Sequence, residues 1–257
     1  MTAKISLQSV TKQFTVRGGP ALTALDQVSL DIPSGQFLVL VGPSGSGKTT
    51  LLDLLSGLSS PSSGQVLVDG RAVTGPGLDR AVVFQQYALF PWRTARGNVE
   101  FGLSASGVRR RERAARADEF LDLVGLSAFA DRYPHELSGG MKQRVAIARS
   151  LAYDPGVLLM DEPFAALDAQ TREQLQDELL RIWRATGKTV VFVTHAIEEA
   201  VYLGQRVAVL TARPGRIKRI VDVDLGDREG DVRSAPAFVA HRHELWSLLH
   251  DEVGRAA

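Results

Sequence analysis

The sequence predicts an α/β protein in which a buried parallel sheet is combined with an antiparallel β layer and inserted helices. Three continuously apolar runs each end in a cluster of polar residues, as buried parallel strands do. They cover residues 36–41, 156–160 and 189–193. Helical periodicity takes over between residues 94 and 130, which predicts a helical insertion. This alternation of strand and helix patterns is typical of the α/β class.

Alternating polar and apolar residues in the opening third predict the antiparallel layer. Ile5, Leu7 and Val10 indicate an edge strand. The other alternating segments are centred on Leu30, between Val28 and Ile32, and on residues 65–69.

Two further helices are predicted towards the end of the chain. Leu175, Leu179 and Ile182 recur at helical spacing, and we expect Gly187 to end their helix. From Pro236 onward we expect a short amphipathic helix whose apolar residues pack on the core. These residues are Phe238, Leu245, Trp246 and Leu249.

Composition and charge exclude several classes of protein. The chain has 257 residues, 44% hydrophobic and 23% charged, which excludes disorder and collagen-like repeats. Its 30 basic and 29 acidic residues nearly cancel, so no general attraction to nucleic acid is expected. The absence of cysteine excludes thiol nucleophiles, Cys-ligated zinc and disulfides. The apolar runs are shorter than the ~20 residues of a spanning helix, and the first residues lack a signal peptide's apolar block, so we expect a cytoplasmic protein.

The strongest chemical signal is a G-x-x-x-x-G-K-[ST] phosphate loop, placed after an apolar strand and before a helical segment. Its glycines let backbone N–H groups turn towards phosphate oxygens, and the helix adds its positive N-terminus. Lys48 is expected to reach the outer phosphates, and the Thr49 hydroxyl to ligate Mg²⁺. The alternative is a glycine-rich turn that matches by chance. The predicted binding residues are Gly42, Pro43, Ser44, Gly45, Ser46, Gly47, Lys48, Thr49 and Thr50.

Adjacent carboxylates follow the second apolar strand, at Asp161 and Glu162. An unpaired buried charge is costly, which favours a functional pair. We expect Asp161 to hold Mg²⁺ through water and Glu162 to act as the general base on the attacking water. Taken alone, the pair would be better explained as an acidic N-cap before a helix; the other motifs favour the functional interpretation.

A second anion-binding helix start is predicted at residues 137–144, where a serine and two glycines precede helical residues. One nucleotide needs only one such helix end. The second therefore suggests a partner copy whose nucleotide is closed by this segment.

The phosphate loop, LSGGMKQR at 137–144, LLMDEP at 158–163 and the pair Thr194-His195 together resemble the ATP-binding subunits of ABC transporters, across nearly the whole chain. The resemblance implies a P-loop NTPase fold, with a RecA-like parallel-sheet core, an N-terminal antiparallel β layer and an inserted ABC-specific helical subdomain. The single ABC ATPase domain, 1–257, would divide into a core at 1–85 and 157–220, a helical subdomain at 86–156 and a C-terminal extension at 221–257.

The resemblance also implies an ATP site with Mg²⁺ as cofactor. Phe14 would stack on adenine, Gln85 would sense Mg²⁺ and the γ-phosphate, and His195 would contact the γ-phosphate and orient Glu162. The implied catalytic residues are Glu162, His195, Lys48 and Gln85. The implied Mg²⁺ ligands are Thr49, Gln85 and, through water, Asp161.

A homodimer is implied in the same way. The signature segment would act on the nucleotide of the partner subunit, and ATP would close the dimer until hydrolysis loosens it. The signature residues are Leu137, Ser138, Gly139, Gly140, Met141 and Gln143. The dimer-crossing loop consists of Ala166, Leu167 and Asp168, with Ala165 where serine is more usual.

The segment from Phe84 to Thr94 is similar to importers of nitrate, sulfonates, taurine and related solutes. Such proteins grip a transmembrane permease there, at the cytoplasmic face of the membrane, and a separate solute-binding protein delivers the cargo. Because Phe90 and Trp92 flank a proline, we expect docking, although the same aromatics are also compatible with a core. The implied contact residues are Gln86, Tyr87, Leu89, Phe90 and Trp92.

Four alternative interpretations concern the features above. A nucleic-acid or ribosome ATPase of this family is disfavoured, because Gln85 and Leu137 lie too close for a coiled coil and only one cassette is present. An exporter cassette is disfavoured only by the resemblance. His241, His243 and His250 are interpreted as a solvated helix face rather than a metal site. The arginines of residues 109–113 are interpreted as a solvated helix face rather than a basic binding surface.

Overall fold

The computed structural model describes residues 3–15, 18–226, 228 and 230–256, without the side chains of 253–256. Residues 1, 2, 16, 17, 227, 229 and 257 of the predicted single domain lie outside the described residues. The strands are β1 (Ala3–Phe14), β2 (Leu22–Pro33), β3 (Phe37–Val41), β4 (Ser63–Val68), β5 (Arg71–Ala72), β6 (Arg80–Val83), β7 (Val157–Asp161), β8 (Thr189–Val193), β9 (Arg206–Leu210) and β10 (Ile217–Asp222). The α-helices are α1 (Lys48–Ser56), α2 (Ala95–Ala105), α3 (Arg110–Leu123), α4 (Gly139–Leu151), α5 (Ala169–Thr186), α6 (Ile197–Leu203) and α7 (Pro236–Ala256).

The chain divides into two compact units. The first consists of Met1–Pro76 and Thr189–Ala257, and the second of Gly77–Lys188. The first unit contains β1–β5, β8–β10, α1, α6 and α7, and the second contains β6, β7 and α2–α5.

The antiparallel layer of the first unit has the strand order β2-β1-β4-β5. Leu7 of β1 faces Leu30 of β2 on one side and Val66 of β4 on the other. The prediction that β1 is an edge strand is therefore wrong, because alternation reports that one face is buried and not how many strands are neighbours. The alternation itself is confirmed, since Ile5 and Val10 are fully buried with Leu7.

A buried parallel core lies in the same unit. β3 pairs in parallel with β8 on one side and with β9 on the other, and β10 pairs antiparallel with β9. Every residue of β3 and of β8 is buried, which confirms two of the predicted parallel strands. Because β3 is enclosed on both edges, the turn that follows it starts from a fixed point.

The second unit combines a parallel strand pair with helices. Val83 of β6 is in register with Met160 of β7, so both strands end at the same edge. The predicted helical insertion is confirmed as α2 and α3. The predicted end of α5 is also confirmed, since Gly187 is its C-cap with a φ of 61°.

Helix α7 is longer than expected, with 21 residues. Phe238 and Leu245 lie seven residues apart on one face and are buried, but Trp246 is 51% exposed. The prediction that Trp246 packs on the core is wrong: it lies about 100° round the helix from buried Leu245, outside the face that Phe238 and Leu245 bury. No described helix has the length and apolar character needed to cross a membrane.

A buried carboxylate fixes the end of α7. Glu252 is 2% exposed and accepts a hydrogen bond of 3.0 Å from the backbone N–H of Ala212. Its other oxygen lies 2.9 Å from the Lys218 ammonium, which also donates to the carbonyl of Leu248. The segment after β9, strand β10 and α7 are thereby joined.

We predict that Glu252→Ala lowers the free energy of unfolding by about 2–4 kcal/mol, because it leaves Lys218 and the Ala212 N–H without this acceptor. Glu252→Gln keeps an acceptor for Ala212 and should lose less. Urea unfolding followed by circular dichroism measures both. Equal losses would contradict the role of the Ala212 hydrogen bond, and no loss for either variant would contradict the anchor altogether.

Candidate functional site

The predicted phosphate loop connects buried β3 to α1 in the first unit. Gly47 is the N-cap of α1, with a φ of 89°, so no side chain satisfies the N-terminal N–H groups from the cap position. A Cβ at Gly47 would stand 2.7 Å from Leu25 Cδ2 and 3.0 Å from the carbonyl oxygen of Ala24. The loop thus packs on β2 at a distance that only glycine permits.

Lys48 of the loop is buried, with 8% of its surface exposed. Its ammonium donates to the carbonyls of Gly42 (2.8 Å) and Pro43 (3.1 Å). Ser46 is fully buried, and its Oγ has no hydrogen-bond partner among the described residues. The exposed hydroxyl of Thr49 follows directly. A buried cation at an uncapped helix start makes this turn suitable for an anion.

Two other predicted site residues belong to the first unit. Phe14 is the last residue of β1, is 43% exposed, and has the Lys12 ammonium 5.2 Å from its ring centroid. His195 is exposed in the turn between β8 and α6. It lines a cavity of about 690 Å³ together with α6 and α7, whose Trp246 also contributes.

In the second unit, Gln85 and the two carboxylates all follow strands that end at one edge, since β6 and β7 are parallel and in register there. Gln85 is exposed two residues beyond β6, whereas Asp161 and Glu162 are half-buried where β7 ends. Glu162 has a φ of 44°, a left-handed conformation that is rare for residues other than glycine. Such strain of about 1–3 kcal/mol persists where surrounding structure fixes it, and it is frequent at functional sites.

The signature segment forms the N-terminus of α4. Ser138 is its N-cap and accepts a hydrogen bond of 3.3 Å from the Met141 N–H. A Cβ at Gly140 would stand 2.7 Å from Thr171 Cγ2, so α4 begins in close contact with α5. Leu137 and Gln143 are buried, which leaves Ser138 as the exposed side chain at this helix start.

The predicted dimer-crossing loop precedes α5. Leu167 is buried, and Asp168 is the N-cap of α5, with its carboxylate accepting a hydrogen bond of 2.9 Å from the Thr171 N–H. This hydrogen bond holds the pKa of Asp168 below its usual value. Asp168 therefore remains ionised at the positive end of the helix.

An aromatic cluster occupies the predicted permease-contact segment. The Phe90 ring lies 5.5 Å from that of Trp92 and 4.7 Å, edge to face, from that of Phe101. Trp92 is 71% exposed and Phe101 is 44% exposed, so the cluster is not a closed core. The guanidinium carbons of Arg93 and Arg149 lie 5.8 and 5.9 Å from the centroid of Phe90.

Two residues that support this segment had been assigned no role from the sequence. Asn98 is fully buried; its Oδ1 accepts from the Phe90 N–H at 2.8 Å, and its Nδ2 donates to the carbonyls of Phe90, Arg93 and Thr94. Arg149 of α4 donates to the carbonyls of Ala88 and Tyr87, and its burial lowers its pKa. In the sequence, these interactions are signalled only by a polar asparagine within a predicted helix. That signal does not identify the backbone groups that the side chain binds.

Two of the α7 histidines stack on an aromatic ring, and the third, His241, has its Nδ1 3.9 Å from the Glu244 carboxylate. The rings of His243 and His250 stack on Trp246, with centroids 6.3 and 4.7 Å away. Among the described residues no group of three or more His, Asp or Glu side chains is arranged to hold a metal ion.

Comparisons with known proteins identify the family and the fold of the chain. A family model described as ABC transporter matches residues 25–165. The taurine import ATP-binding protein TauB of Rhizobium johnstonii is 52% identical, over 92% of this chain and 93% of its own. The nitrate import ATP-binding protein NrtD of Synechocystis sp. is 49% identical, over 95% and 94%. A solved ATP-binding cassette, dimeric in a post-hydrolysis state with ADP and Pi, is 37% identical with a TM-score of 0.75, over 86% of this chain and 99% of that chain. This likeness confirms the predicted fold class.

Two buried amides of the second unit allow a matched test of the aromatic segment. Asn98 makes four hydrogen bonds, whereas neither amide atom of buried Gln143 has a partner among the described residues. We predict that Asn98→Leu lowers the free energy of unfolding by about 2–4 kcal/mol, because the Phe90 N–H loses its acceptor. Gln143→Met should cost less than about 1 kcal/mol or stabilise. Urea unfolding measures both free energies. Equal losses for the two variants would contradict a stabilising role for the Asn98 hydrogen bonds.

Proposed function

Because the chain belongs to the ABC transporter family and is therefore an ATPase, we propose that it is the ATP-hydrolysing subunit of a membrane importer. Its cargo would be a small anion or organic solute, such as nitrate, an aliphatic sulfonate or taurine. The observation that carries this proposal is the similarity, over nearly the whole chain, to relatives named as import ATP-binding proteins. Selectivity would reside in a permease and a solute-binding protein, since the ATPase does not touch the cargo.

The phosphate loop is proposed to bind the phosphates of ATP, and Phe14 to stack on the adenine. The half-buried carboxylate of Asp161 and the exposed hydroxyl of Thr49 are hard oxygen ligands of the kind that Mg²⁺ prefers, so these residues fit the ion. When bound, Mg²⁺ neutralises charge on the phosphates. Gln85 would be a further ligand, and Asp161 would act through water.

Hydrolysis is assigned to residues that follow parallel strands. Glu162 is proposed as the general base that accepts a proton from the attacking water, and His195 as the residue that contacts the γ-phosphate and orients Glu162. Lys48 and Gln85 complete the catalytic set. The left-handed backbone of Glu162 supports this role, because it fixes the direction in which the carboxylate leaves β7.

The working form is proposed to be a homodimer. Supporting this, the related cassette was solved as a dimer with hydrolysis products bound. The exposed Ser138, with Gly139, would act on the ATP of the partner subunit, and Asp168 would lie in the dimer-crossing loop. ATP binding would favour the closed dimer, and hydrolysis would release it.

The aromatic cluster around Phe90 is proposed to dock the permease and so to hold the protein at the cytoplasmic face of the membrane. An exposed tryptophan beside two half-shielded rings and two arginines has the composition of a binding hot spot. The proposed contact residues are Gln86, Tyr87, Leu89, Phe90 and Trp92.

We predict that the tagged chain, purified in mild detergent from the membranes of its own organism, carries a polytopic permease detectable by mass spectrometry. Trp92→Ala should reduce permease recovery about 5–10-fold, because it truncates the exposed anchor. Trp246→Ala, at a half-exposed tryptophan of α7, should leave recovery unchanged.

Three results would oppose this proposal. Ribosomes or nucleic acid in place of a permease would indicate instead an ATPase of this family that acts on nucleic acid or ribosomes. An equal loss for the two tryptophan variants would remove the docking role from the aromatic cluster. Cargo export by reconstituted vesicles would contradict import.

Glu162→Gln should bind Mg-ATP with wild-type affinity but hydrolyse it at least about 100-fold more slowly, because the amide cannot accept the proton. The variant should accumulate as an ATP-bound dimer in size-exclusion chromatography. Glu119→Gln, at an exposed carboxylate of α3 in the same unit, is the control and should turn over normally. Wild-type turnover in Glu162→Gln would refute the general-base assignment.

A further inference from the structure

The six-residue loop between β9 and β10, residues 211–216, lies directly against the phosphate loop. A Cβ at Gly215 would overlap the carbonyl oxygen of Ser46, and one at Gly42 would stand 3.1 Å from Leu210 Cβ. The two loops therefore approach each other backbone to backbone.

The 211–216 loop is held in one conformation. The Thr211 hydroxyl donates to the Pro214 carbonyl (2.9 Å) and accepts from the Arg216 N–H (3.0 Å), and the Thr211 N–H donates to the Arg216 carbonyl (3.0 Å). The Gly215 N–H donates to the Ala24 carbonyl of β2 at 2.9 Å. Together with the Glu252 anchor, these bonds fix the loop position relative to the phosphate loop.

Two arginines of this loop have different environments. Arg216 pairs with Asp26 through its Nε at 3.1 Å. Arg213 is exposed, and its Nη2 lies 3.2 Å from the point where a Cβ of Gly45 would stand, with Cζ at 3.9 Å. No carboxylate among the described residues pairs with Arg213. A guanidinium without such a counter-ion thus rests on the fourth residue of the phosphate loop.

We propose that Arg213 binds the phosphate chain of the nucleotide where the loop cradles it. This inference rests on the proposed ATP-binding function. The backbone N–H groups of such a loop hold the α- and β-phosphates, and the lysine reaches the β- and γ-phosphates. The Arg213 guanidinium lies 3.2 Å from the point where a Cβ of Gly45 would stand, so it is beside the loop that would hold the α- and β-phosphates. Its planar fork then complements the point charge of Lys48 with two directed N–H donors.

Equilibrium binding of Mg-ATP and of Mg-ADP to the purified full chain tests this role. Arg213→Ala should weaken both nucleotides by about 5–20-fold, the range of an exposed charge-assisted contact, and by the same factor, since both carry α- and β-phosphates. Arg213→Lys should restore part of the affinity. Because exposed charges are screened, added NaCl should weaken the wild type more than Arg213→Ala.

Arg216→Ala is the matched control, because it removes an arginine from the same loop together with its ion pair to Asp26. It should change nucleotide affinity less than about twofold. Equal losses for the two variants, unchanged affinity in Arg213→Ala, or a loss confined to Mg-ATP would each overturn the assignment. Failure of the wild type to bind either nucleotide more tightly than Lys48→Ala would instead overturn the proposed function, so the two failures are distinguishable.

Discussion

The close packing of the phosphate loop is the constraint on which the first unit depends. Gly47 touches Leu25 and Ala24 of β2, and the carbonyl of Ser46 touches Gly215 of the loop after β9. The antiparallel layer and the hairpin of β9 and β10 therefore meet at a turn of a few residues. Because β3 is enclosed by two parallel strands, the turn cannot relax by moving back, and its shape is determined before any ligand arrives.

Helix caps have a corresponding role in the second unit. Ser138 and Asp168, both assigned by resemblance to contacts with a partner subunit, already cap α4 and α5 within one chain. These caps orient both side chains, and Asp168 stays charged because the Thr171 N–H stabilises its carboxylate. The capping role and the proposed contact with a partner subunit are thus compatible for these residues, because a side chain that caps a helix points in a fixed direction.

The sequence predicted the features that local patterns encode. Apolar runs identified β3 and β8, and the glycine after α5 identified its end. The alternation of polar and apolar residues does not show how many strands lie beside β1. Helical periodicity does not show which of Leu245 and Trp246 faces the core. Asn98, Arg149 and Arg213 were given no role because their partners are backbone groups or loops distant in sequence. The roles of Glu162, Gln85 and His195 and the boundaries of the subdomains stay predictions.

In the proposed importer, the permease-contact segment and the signature helix form one mechanical unit. Arg149, near the C-terminal end of α4, binds the carbonyls of Tyr87 and Ala88, while the Tyr87 hydroxyl lies 3.0 Å from where a Cβ of Gly139 would stand at the N-terminus of the same helix. The segment therefore contacts α4 at both ends. A rigid helix held at two points transmits a displacement rather than absorbing it, so a permease that moves Phe90 and Trp92 would also move Ser138.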